Sequence, residues 1–182
     1  MKIKNKKIII LSGKARAGKD TTTNFLKEIY KDKMINLQYG SYIKEYAKKI
    51  SNWDGNEETK PRELLQQLGT DIIRKQIDNR FFIKKMIDDI KVYSFFFDII
   101  VISDARFKIE IDDIKQNFND VISINVSRPN FDNGLTEEQK RHPSEVDLDD
   151  YNNFDYKIIN DETLENLKEK IERLVEVIDN ES

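Results

Sequence analysis

Short apolar runs alternate with longer amphipathic stretches along this chain. Residues 8–11 form a β-branched apolar run that ends near a glycine, and a helix-compatible stretch over about 21–30 follows it. Residues 98–103 and 121–126 have the character of buried strands, and the stretch over about 110–118 between them has helical spacing. This βαβ alternation predicts a three-layer α/β fold, in which helices flank a central, mainly parallel sheet of about five strands.

Further helices are predicted between and after these strands. The pattern predicts one helix over about 42–50, and Pro61 is well placed to open another because its fixed φ suits a first turn. Asn79 is a candidate cap for a helix that continues to about Val92. Residues 156–159 predict a last short strand, and the terminal helix after it has an apolar stripe that indicates packing on the sheet. That stripe consists of Leu164, Leu167, Ile171, Leu174, Val175 and Ile178.

The stretch 128–150 shows no such period. It is polar, contains prolines and is longer than most connections within a compact domain, so it predicts either disorder or a functional lid. No internal repeat is visible elsewhere. A length of 182 residues suits one domain with a sizeable core, and we therefore expect a single domain over 1–182.

Composition narrows the classes of function. The net charge is −3 and the Lys and Arg residues are spread along the chain, which gives no support for a nucleic-acid partner. The absence of cysteine excludes disulfides, thiolate zinc sites, iron–sulfur clusters and cysteine nucleophiles, and the single His142 cannot form a multi-histidine metal site. The start of the chain is basic, but its apolar run is too short for a signal peptide, and no segment approaches transmembrane length. We expect a cytoplasmic protein without a membrane partner.

Residues 13–21 match the G-x-x-x-x-G-K pattern of a phosphate-binding loop. They follow a predicted strand and precede a predicted helix, which is the context that this loop requires. Glycines let the backbone curl around a phosphate so that N–H groups face its oxygens, while Lys19 adds a mobile positive charge. An ordinary glycine-containing turn is the alternative. The residues predicted to hold nucleotide phosphates are Gly13, Lys14, Ala15, Arg16, Ala17, Gly18, Lys19, Asp20 and Thr21.

Asp20 stands where a Ser or Thr usually follows the lysine of such a loop. This departure indicates either loss of function or direct coordination of Mg²⁺ by the carboxylate. A carboxylate oxygen is a good ligand for that hard ion, and it can also hold one of the ion's waters. Asp20 and the adjacent Thr21 are therefore the candidate metal residues.

A second candidate site follows the strand predicted over 98–103. Asp104 lies at the carboxyl edge where open α/β sheets bind ligands, and Arg106 is placed to neutralise a phosphate or the charge that develops during its transfer. A helix-capping Asp beside a solvated Arg explains the same residues equally well. Phosphoryl transfer needs several cations, so Arg128 and Arg141 are further candidates. Three more arginines have individually weak claims, namely Arg62, Arg74 and Arg80.

Taken together, these segments resemble the bacteriophage-type deoxynucleoside monophosphate kinases, which belong to the P-loop nucleoside monophosphate kinase group. The resemblance runs from the first strand to the last helix, and that family's loop likewise carries Asp after the lysine. The strings that carry it, in chain order, are Ile43-Lys44-Glu45, then Arg62-x-Leu64-Leu65-Gln66-x-Leu68-Gly69-Thr70-Asp71, then Ser103-Asp104-Ala105-Arg106-Phe107 with Glu110, then Arg128-Pro129, His142-Pro143-Ser144-Glu145 and Asn160-Asp161.

The resemblance implies a P-loop kinase that uses ATP and Mg²⁺, acts on a deoxynucleoside monophosphate, and exists as a monomer or homodimer. It implies an acceptor-binding helical region at about 40–95 and a lid at about 128–150. The implied catalytic residues are Lys19, Asp104, Arg106 and Arg128, and the nucleotide site gains Asn160 and Asp161. The implied acceptor and lid residues are Lys44, Arg62, Gln66, Asp104, Arg106, Glu110, His142, Ser144 and Glu145.

Two other functions are consistent with a phosphate loop. One is a P-loop kinase for a phosphorylated metabolite that lacks a base, such as phosphomevalonate or dephospho-coenzyme A. The other is a nucleotide-operated switch or binding module, although the sequence has no separate Asn-Lys-x-Asp guanine motif. Activity on nucleotides would separate the first alternative from the implied function.

Overall fold

A parallel sheet of five strands lies at the centre of the computed structural model, which describes residues 6–180. The strands are β1 (Lys7–Ser12), β2 (Met34–Leu37), β3 (Ile99–Ala105), β4 (Val121–Ser127) and β5 (Tyr156–Ile159). Their order across the sheet is β2-β3-β1-β4-β5, and each neighbouring pair is parallel. The prediction of a mainly parallel, five-stranded sheet is confirmed. The first residues of the basic start, 1–5, lie outside the described residues.

Helices connect the strands. They are α1 (Lys19–Tyr30), α2 (Tyr39–Ser51), α3 (Arg62–Gln66), α4 (Phe81–Tyr93), α5 (Lys108–Asn117), α6 (Glu137–Lys140), α7 (Pro143–Val146) and α8 (Leu164–Asn180). A short 3-10 turn, Lys31–Lys33, leads from α1 into β2. Helix α3 continues without a break into a π-helix, Gln67–Ile77. Within residues 6–180, no helix combines the length and the apolar character needed to cross a membrane.

Two apolar cores cover the two faces of the sheet. Because successive side chains of a strand point to opposite faces, Ile8 and Ile10 of β1 enter one core while Ile9 and Leu11 enter the other. Helices α4 and α5 pack in the first core, and α1 and α8 pack in the second. Strand β1 is buried along its whole length, as expected for a central strand with both faces covered. The three-layer prediction is confirmed.

A smaller apolar cluster contains Ala47 of α2, Trp53 of the loop that follows α2, and Leu68 of the π-helix. The indole of Trp53 donates to the carbonyl of Asn56 at 2.9 Å, so this side chain is a packing residue. A Cβ at Gly69 would lie 2.8 Å from Cδ1 of Ile43, so glycine permits the close approach of the π-helix to α2.

Three details differ from the sequence predictions. The prediction that Asn79 caps a helix is wrong, because α4 begins at Phe81 after Arg80, whose N–H donates to the side chain of Asp78 at 2.9 Å. Asp104 lies within β3 rather than just beyond it. The stretch 128–150 contains the two single-turn helices α6 and α7.

The register of the sheet brings three strand ends together. Ser12 at the end of β1 pairs with Ala105 of β3 on one side and with Asn125 of β4 on the other. The loops that follow these parallel strands therefore leave the sheet at one edge, which is where open α/β sheets bind ligands.

Candidate active site

The phosphate loop joins β1 to α1 and lies against β4. Gly13 has a φ of 146°, and a Cβ there would lie 2.1 Å from the carbonyl oxygen of Val126, so this position requires glycine. Asn160, just after β5, supports the loop from the other side by donating from Nδ2 to the carbonyl of Ala17 at 3.0 Å. The first N–H groups of α1 follow the loop, and helix N-termini of this kind bind anions.

Lys19 is buried at the start of α1 and folds back over the loop. Its Nζ donates to the carbonyls of Gly13 at 2.8 Å and Lys14 at 2.9 Å. Burial lowers the pKa of Lys19 from 10.5 to about 8, and the positive charge of Arg106 adds to that fall. With a pKa of about 8, the ammonium group is mostly charged at pH 7, and it lies within the loop.

A large cavity of about 670 Å³ extends from the phosphate loop to α2 and α3. Its volume lies within the range of about 300–1,000 Å³ that is usual for small-molecule sites. Most of the residues predicted from the resemblance to hold the acceptor line it. The predicted residues in its wall are Ala15, Arg16, Lys19, Asp20, Lys44, Arg62, Gln66, Asp104, Arg106, Glu110, His142 and Ser144.

Asp104 ties the end of β3 to the start of α2. Its two carboxylate oxygens accept from the backbone N–H groups of Tyr39 and Gly40, each at 2.8 Å. Burial raises the pKa of Asp104, while these two hydrogen bonds and the charge of Arg106 act against the rise. The carboxylate lines the cavity and bonds the first N–H groups of α2, a helix 65 residues earlier in the chain, whereas the cap position of the helix that follows it, α5, is Phe107.

Arg74 and Glu110 form a buried ion pair in the wall of the large cavity. The other Glu110 oxygen accepts from the backbone N–H groups of Arg106 at 2.7 Å and Phe107 at 3.1 Å. The guanidinium of Arg74 lies over the ring of Phe107, 4.3 Å from its centroid. Burial raises the pKa of Glu110, and the charge of Arg74 opposes that rise. This network holds the turn that presents Arg106.

Arg74 is a charged residue of the wall to which the sequence analysis assigned no specific role. Its side chain is 6% exposed, whereas most arginines lie at the surface. Its spacing of four residues from Thr70, which also lines the cavity, was a helical signal that both residues share a face. The four-residue spacing of Thr70 and Arg74 points to the cavity only when the π-helix that contains both residues is known to form its wall.

Side chains of the 128–150 segment contact the phosphate loop. Glu145 accepts from the N–H of Ala15 at 3.2 Å and from the guanidinium of Arg106 at 2.8 Å. Nζ of Lys14 lies 2.9 Å from a carboxylate oxygen of Asp149. The segment therefore covers the loop through acidic side chains.

His142 and Ser144 belong to the same segment. The imidazole Nδ1 lies 2.8 Å from Oγ of Ser144 and accepts from its backbone N–H at 3.3 Å, which caps α7. Burial lowers the pKa of His142. Both side chains line the large cavity at the edge formed by the 128–150 segment.

Two smaller cavities flank the loop. One, of about 350 Å³, is lined by Gly13, Lys14, Ala15, Ala17, Arg106, Arg128, Ser144 and Glu145 among others. The second, of about 300 Å³, is lined by Arg16, Gly18, Lys19, Asp20, Thr21, Arg128 and Asn160 among others. Arg128 thus borders both, with its guanidinium 3.9 Å from the ring centroid of Phe131. Asp161 lines none of the three cavities, and its carboxylate pairs with Lys170 at 3.0 Å.

Asp20 and Thr21 are suited to a metal ion that arrives with a nucleotide. Asp20 is exposed in the first turn of α1, and within residues 6–180 its carboxylate makes no hydrogen bond or ion pair, while its charge interacts with that of Lys19. The described residues contain no cluster of three His, Asp or Glu side chains that could hold a metal alone. Mg²⁺ is commonly bound by one or two carboxylates together with substrate phosphates, so a single free carboxylate beside a phosphate loop fits it.

The parallel sheet, the loop between β1 and α1 and the cation-lined cavity define a P-loop kinase fold. Two solved structures share it, and both similarities concern the fold alone. A dephospho-CoA kinase from Campylobacter jejuni has a TM-score of 0.53 at 14% identity, covering 95% of this chain and 97% of that one. An unliganded sugar kinase from Janibacter sp. HTCC2649 has a TM-score of 0.54 at 11% identity, covering 94% and 95%.

The chain belongs to the deoxynucleotide monophosphate kinase family, whose pattern matches residues 42–171. It is also similar to a protein of Acanthamoeba polyphaga mimivirus that is provisionally named as a deoxynucleotide monophosphate kinase. The two are 32% identical over an alignment of 133 residues, and the match covers 67% of this chain. The matched part spans 63% of the length of that relative. The resemblance to a viral-type kinase family is thereby confirmed.

Proposed function

We propose that this protein transfers the γ-phosphoryl group of ATP to a deoxynucleoside 5′-monophosphate, which gives the diphosphate and ADP. One observation supports this most directly. A single cavity connects Lys19 of the phosphate loop to a second group of cations that includes Lys44 and Arg62, with Arg106 also in its wall. Two phosphorylated substrates can thus meet in one compartment, and the family to which the chain belongs supports the class of acceptor.

The donor phosphates would bind at the loop. Backbone N–H groups of residues 13–19 and the N-terminus of α1 face the phosphate oxygens in a loop of this kind. Lys19 exchanges its present carbonyl partners, Gly13 and Lys14, for phosphate oxygens. Asn160 supports the loop at Ala17. Asp161 has no direct part in this scheme because its carboxylate pairs with Lys170.

The acceptor would bind in the far part of the large cavity. Lys44 and Arg62 supply positive charge and Gln66 supplies an amide that can hydrogen-bond a base or sugar. Asp104 and Glu110 act indirectly, because their oxygens are already bonded to backbone N–H groups of α2 and of the turn after β3. They are positioning residues for the start of α2 and for Arg106. His142 and Ser144 close the edge of the cavity as part of a lid over 128–150.

Transfer requires little covalent help from the protein. The acceptor is already an ionised phosphate, so no strong general base is needed, and charge stabilisation supplies most of the effect. Arg106, between the two phosphate sites, and Arg128, beside the loop, are the planar cations that stabilise the transferring group. Asp20 and Thr21 would hold Mg²⁺, which when bound neutralises charge on the donor phosphates.

The test is ADP formation from Mg-ATP with each of the four deoxynucleoside and four ribonucleoside monophosphates. We expect rapid turnover with at least one deoxynucleotide and little ADP without an acceptor. A parallel preparation of Lys19→Ala excludes a contaminating kinase. If none of the eight monophosphates gives ADP while the protein still binds ATP, the proposed acceptor class is refuted, and a phosphorylated metabolite without a base is favoured as acceptor.

A further inference from the structure

One glutamate of the 128–150 segment bridges the two phosphate sites. Glu145 accepts through one oxygen from the N–H of Ala15 at 3.2 Å, and through the other from the guanidinium of Arg106 at 2.8 Å. Its side chain is 11% exposed and that of Arg106 is 26% exposed, so water screens this contact only partly. The carboxylate of Glu145 thus connects the phosphate loop to Arg106, which lies between the proposed donor and acceptor sites.

The position of this carboxylate conflicts with a bound donor. A loop N–H that faces a phosphate oxygen cannot at the same time donate fully to Glu145, and the carboxylate and the phosphates repel each other. Lys19 is also engaged by protein atoms, the carbonyls of Gly13 and Lys14. The ligand-free loop is therefore satisfied internally, with Glu145 supplying the anion.

We infer that Glu145 is a positioning residue that couples the two phosphate sites by competing with the donor for the N–H of Ala15. The inference rests on the proposed function, because it assumes that donor phosphates bind this loop. When a donor phosphate accepts the hydrogen bond from the N–H of Ala15, Glu145 keeps only its bond to Arg106. With one of its two hydrogen bonds lost, the Glu145 side chain is less fixed and its ion pair with Arg106 weakens. Arg106 is then free to bind the phosphate of the acceptor. Donor binding should therefore favour acceptor binding, and the reverse follows by linkage.

The remaining contacts of the segment explain why Glu145 can move without unfolding it. Asp147 accepts from the backbone N–H of Lys108 at 2.7 Å, which anchors α7 to the start of α5. The pair between Lys14 and Asp149 is about half exposed at each side chain, so it adds little energy to the closed position. Among the described residues, Glu145 is thus the less exposed of these two acidic contacts between the segment and the loop.

Glu145→Gln tests the competition. The amide keeps the size of the side chain but removes its negative charge and cannot accept from both partners. We expect the variant to bind the ATP analogue AMP-PNP, with Mg²⁺, about tenfold more tightly than the wild type, which corresponds to ~1.4 kcal/mol for one charge-assisted hydrogen bond. Glu138→Gln is the matched control, because it removes the same charge from an exposed position in the same segment. We expect no change in that control.

Acceptor binding tests the coupling. Calorimetric titration with the best deoxynucleotide of the panel, without and with AMP-PNP, should show severalfold tighter acceptor binding in the presence of the analogue. This ratio should fall to about one in Glu145→Gln. Glu145→Asp keeps the charge but is one methylene too short to span both partners, so it should lose the coupling as well. This second variant also serves if the glutamine variant does not fold.

The outcomes separate this inference from the proposed function. If the wild type binds AMP-PNP and phosphorylates a deoxynucleotide while Glu145→Gln binds the analogue no more tightly, Glu145 does not compete with the donor and the inference is overturned. Coupling that persists in both variants overturns it too. A wild type that binds no AMP-PNP refutes the inference together with the donor site.

Discussion

The phosphate loop and the far wall of the large cavity are built in opposite ways. The loop is one continuous segment, 13–21, whose working groups are backbone amides, glycines and Lys19. The cavity wall combines α2, α3 with its π-helix, the end of β3 and the 128–150 segment. A buried ion pair between Arg74 and Glu110 holds part of that wall. Substitutions in the loop should therefore affect chemistry, whereas those in the wall should affect folding as well.

Glu110→Gln should have the largest effect, a loss of folding free energy, and it tests whether the ion pair supports the cavity wall. The change leaves the guanidinium of Arg74 buried without its counter-charge, which typically costs about 3–5 kcal/mol of folding free energy. Denaturant unfolding measures this loss. Glu137→Gln, which breaks the exposed pair with Lys140, is the matched control and should cost less than about 1 kcal/mol. A loss of stability in Glu110→Gln no larger than in this control would mean that the ion pair does not support the wall.

Lys19→Ala should have the second largest effect, and it tests the role of the phosphate loop in the reaction. Removing a preorganised cation from the transferring phosphates should lower kcat/KM for ATP by about 10²–10³-fold, or ~3–4 kcal/mol. Stability should change much less than in Glu110→Gln, because Nζ of Lys19 bonds only to the loop carbonyls of Gly13 and Lys14. Lys33→Ala, at the opposite edge of the sheet, should behave as the wild type. Near-normal turnover in Lys19→Ala would remove the loop from the mechanism.

The pH dependence sharpens the role of Lys19. Burial and Arg106 lower its pKa to about 8, and the charged form below that pH is the one that attracts phosphate. The value of kcat/KM for ATP, which reports on the free enzyme, should therefore fall above pH 8 and be about tenfold lower at pH 9 than at pH 7. In Lys19→Arg the fall should vanish, because a guanidinium stays charged. A fall that persists in Lys19→Arg would assign the titration to another group.

The same contrast explains what the sequence could predict. The loop follows from a local pattern, so residues 13–21 could be predicted as a phosphate loop without the fold, and the strands followed from runs of apolar residues. Arg74 was assigned no role in the site because its burial depends on two features that the local sequence does not reveal. One is the π-helix that contains it, and the other is its partner Glu110, which lies 36 residues away. Asn79 was a plausible cap, but α4 begins at Phe81 with Arg80 in the cap position, and the N–H of Arg80 donates to the side chain of Asp78.

The roles of the acids depend on contacts that the sequence does not contain. The resemblance implies that Asp104 and Glu110 help to hold the acceptor; in the structure both carboxylates bond backbone N–H groups, and Glu110 also pairs with Arg74. Asp104 reaches Tyr39, 65 residues away, only because β2 and β3 are neighbours in the sheet. A strand order of this kind is a property of the assembled fold, so spacing along the chain could not predict the bond.

Arg62→Ala should have the smallest effect, and it tests whether the outer wall contributes to acceptor binding. The Arg62 side chain is 52% exposed and its nearest acidic partner, Glu57, lies 3.9 Å away, so solvent weakens its attraction for a phosphate. We expect the KM for the acceptor to rise about two- to fivefold while the KM for ATP and kcat stay unchanged, as steady-state kinetics with the best deoxynucleotide would show. Arg173→Ala, at an exposed pair on α8, is the matched control. A rise in the KM for ATP instead would place Arg62 beside the donor. No change in either KM would mean that the acceptor binds only in the inner part of the cavity, away from Arg62.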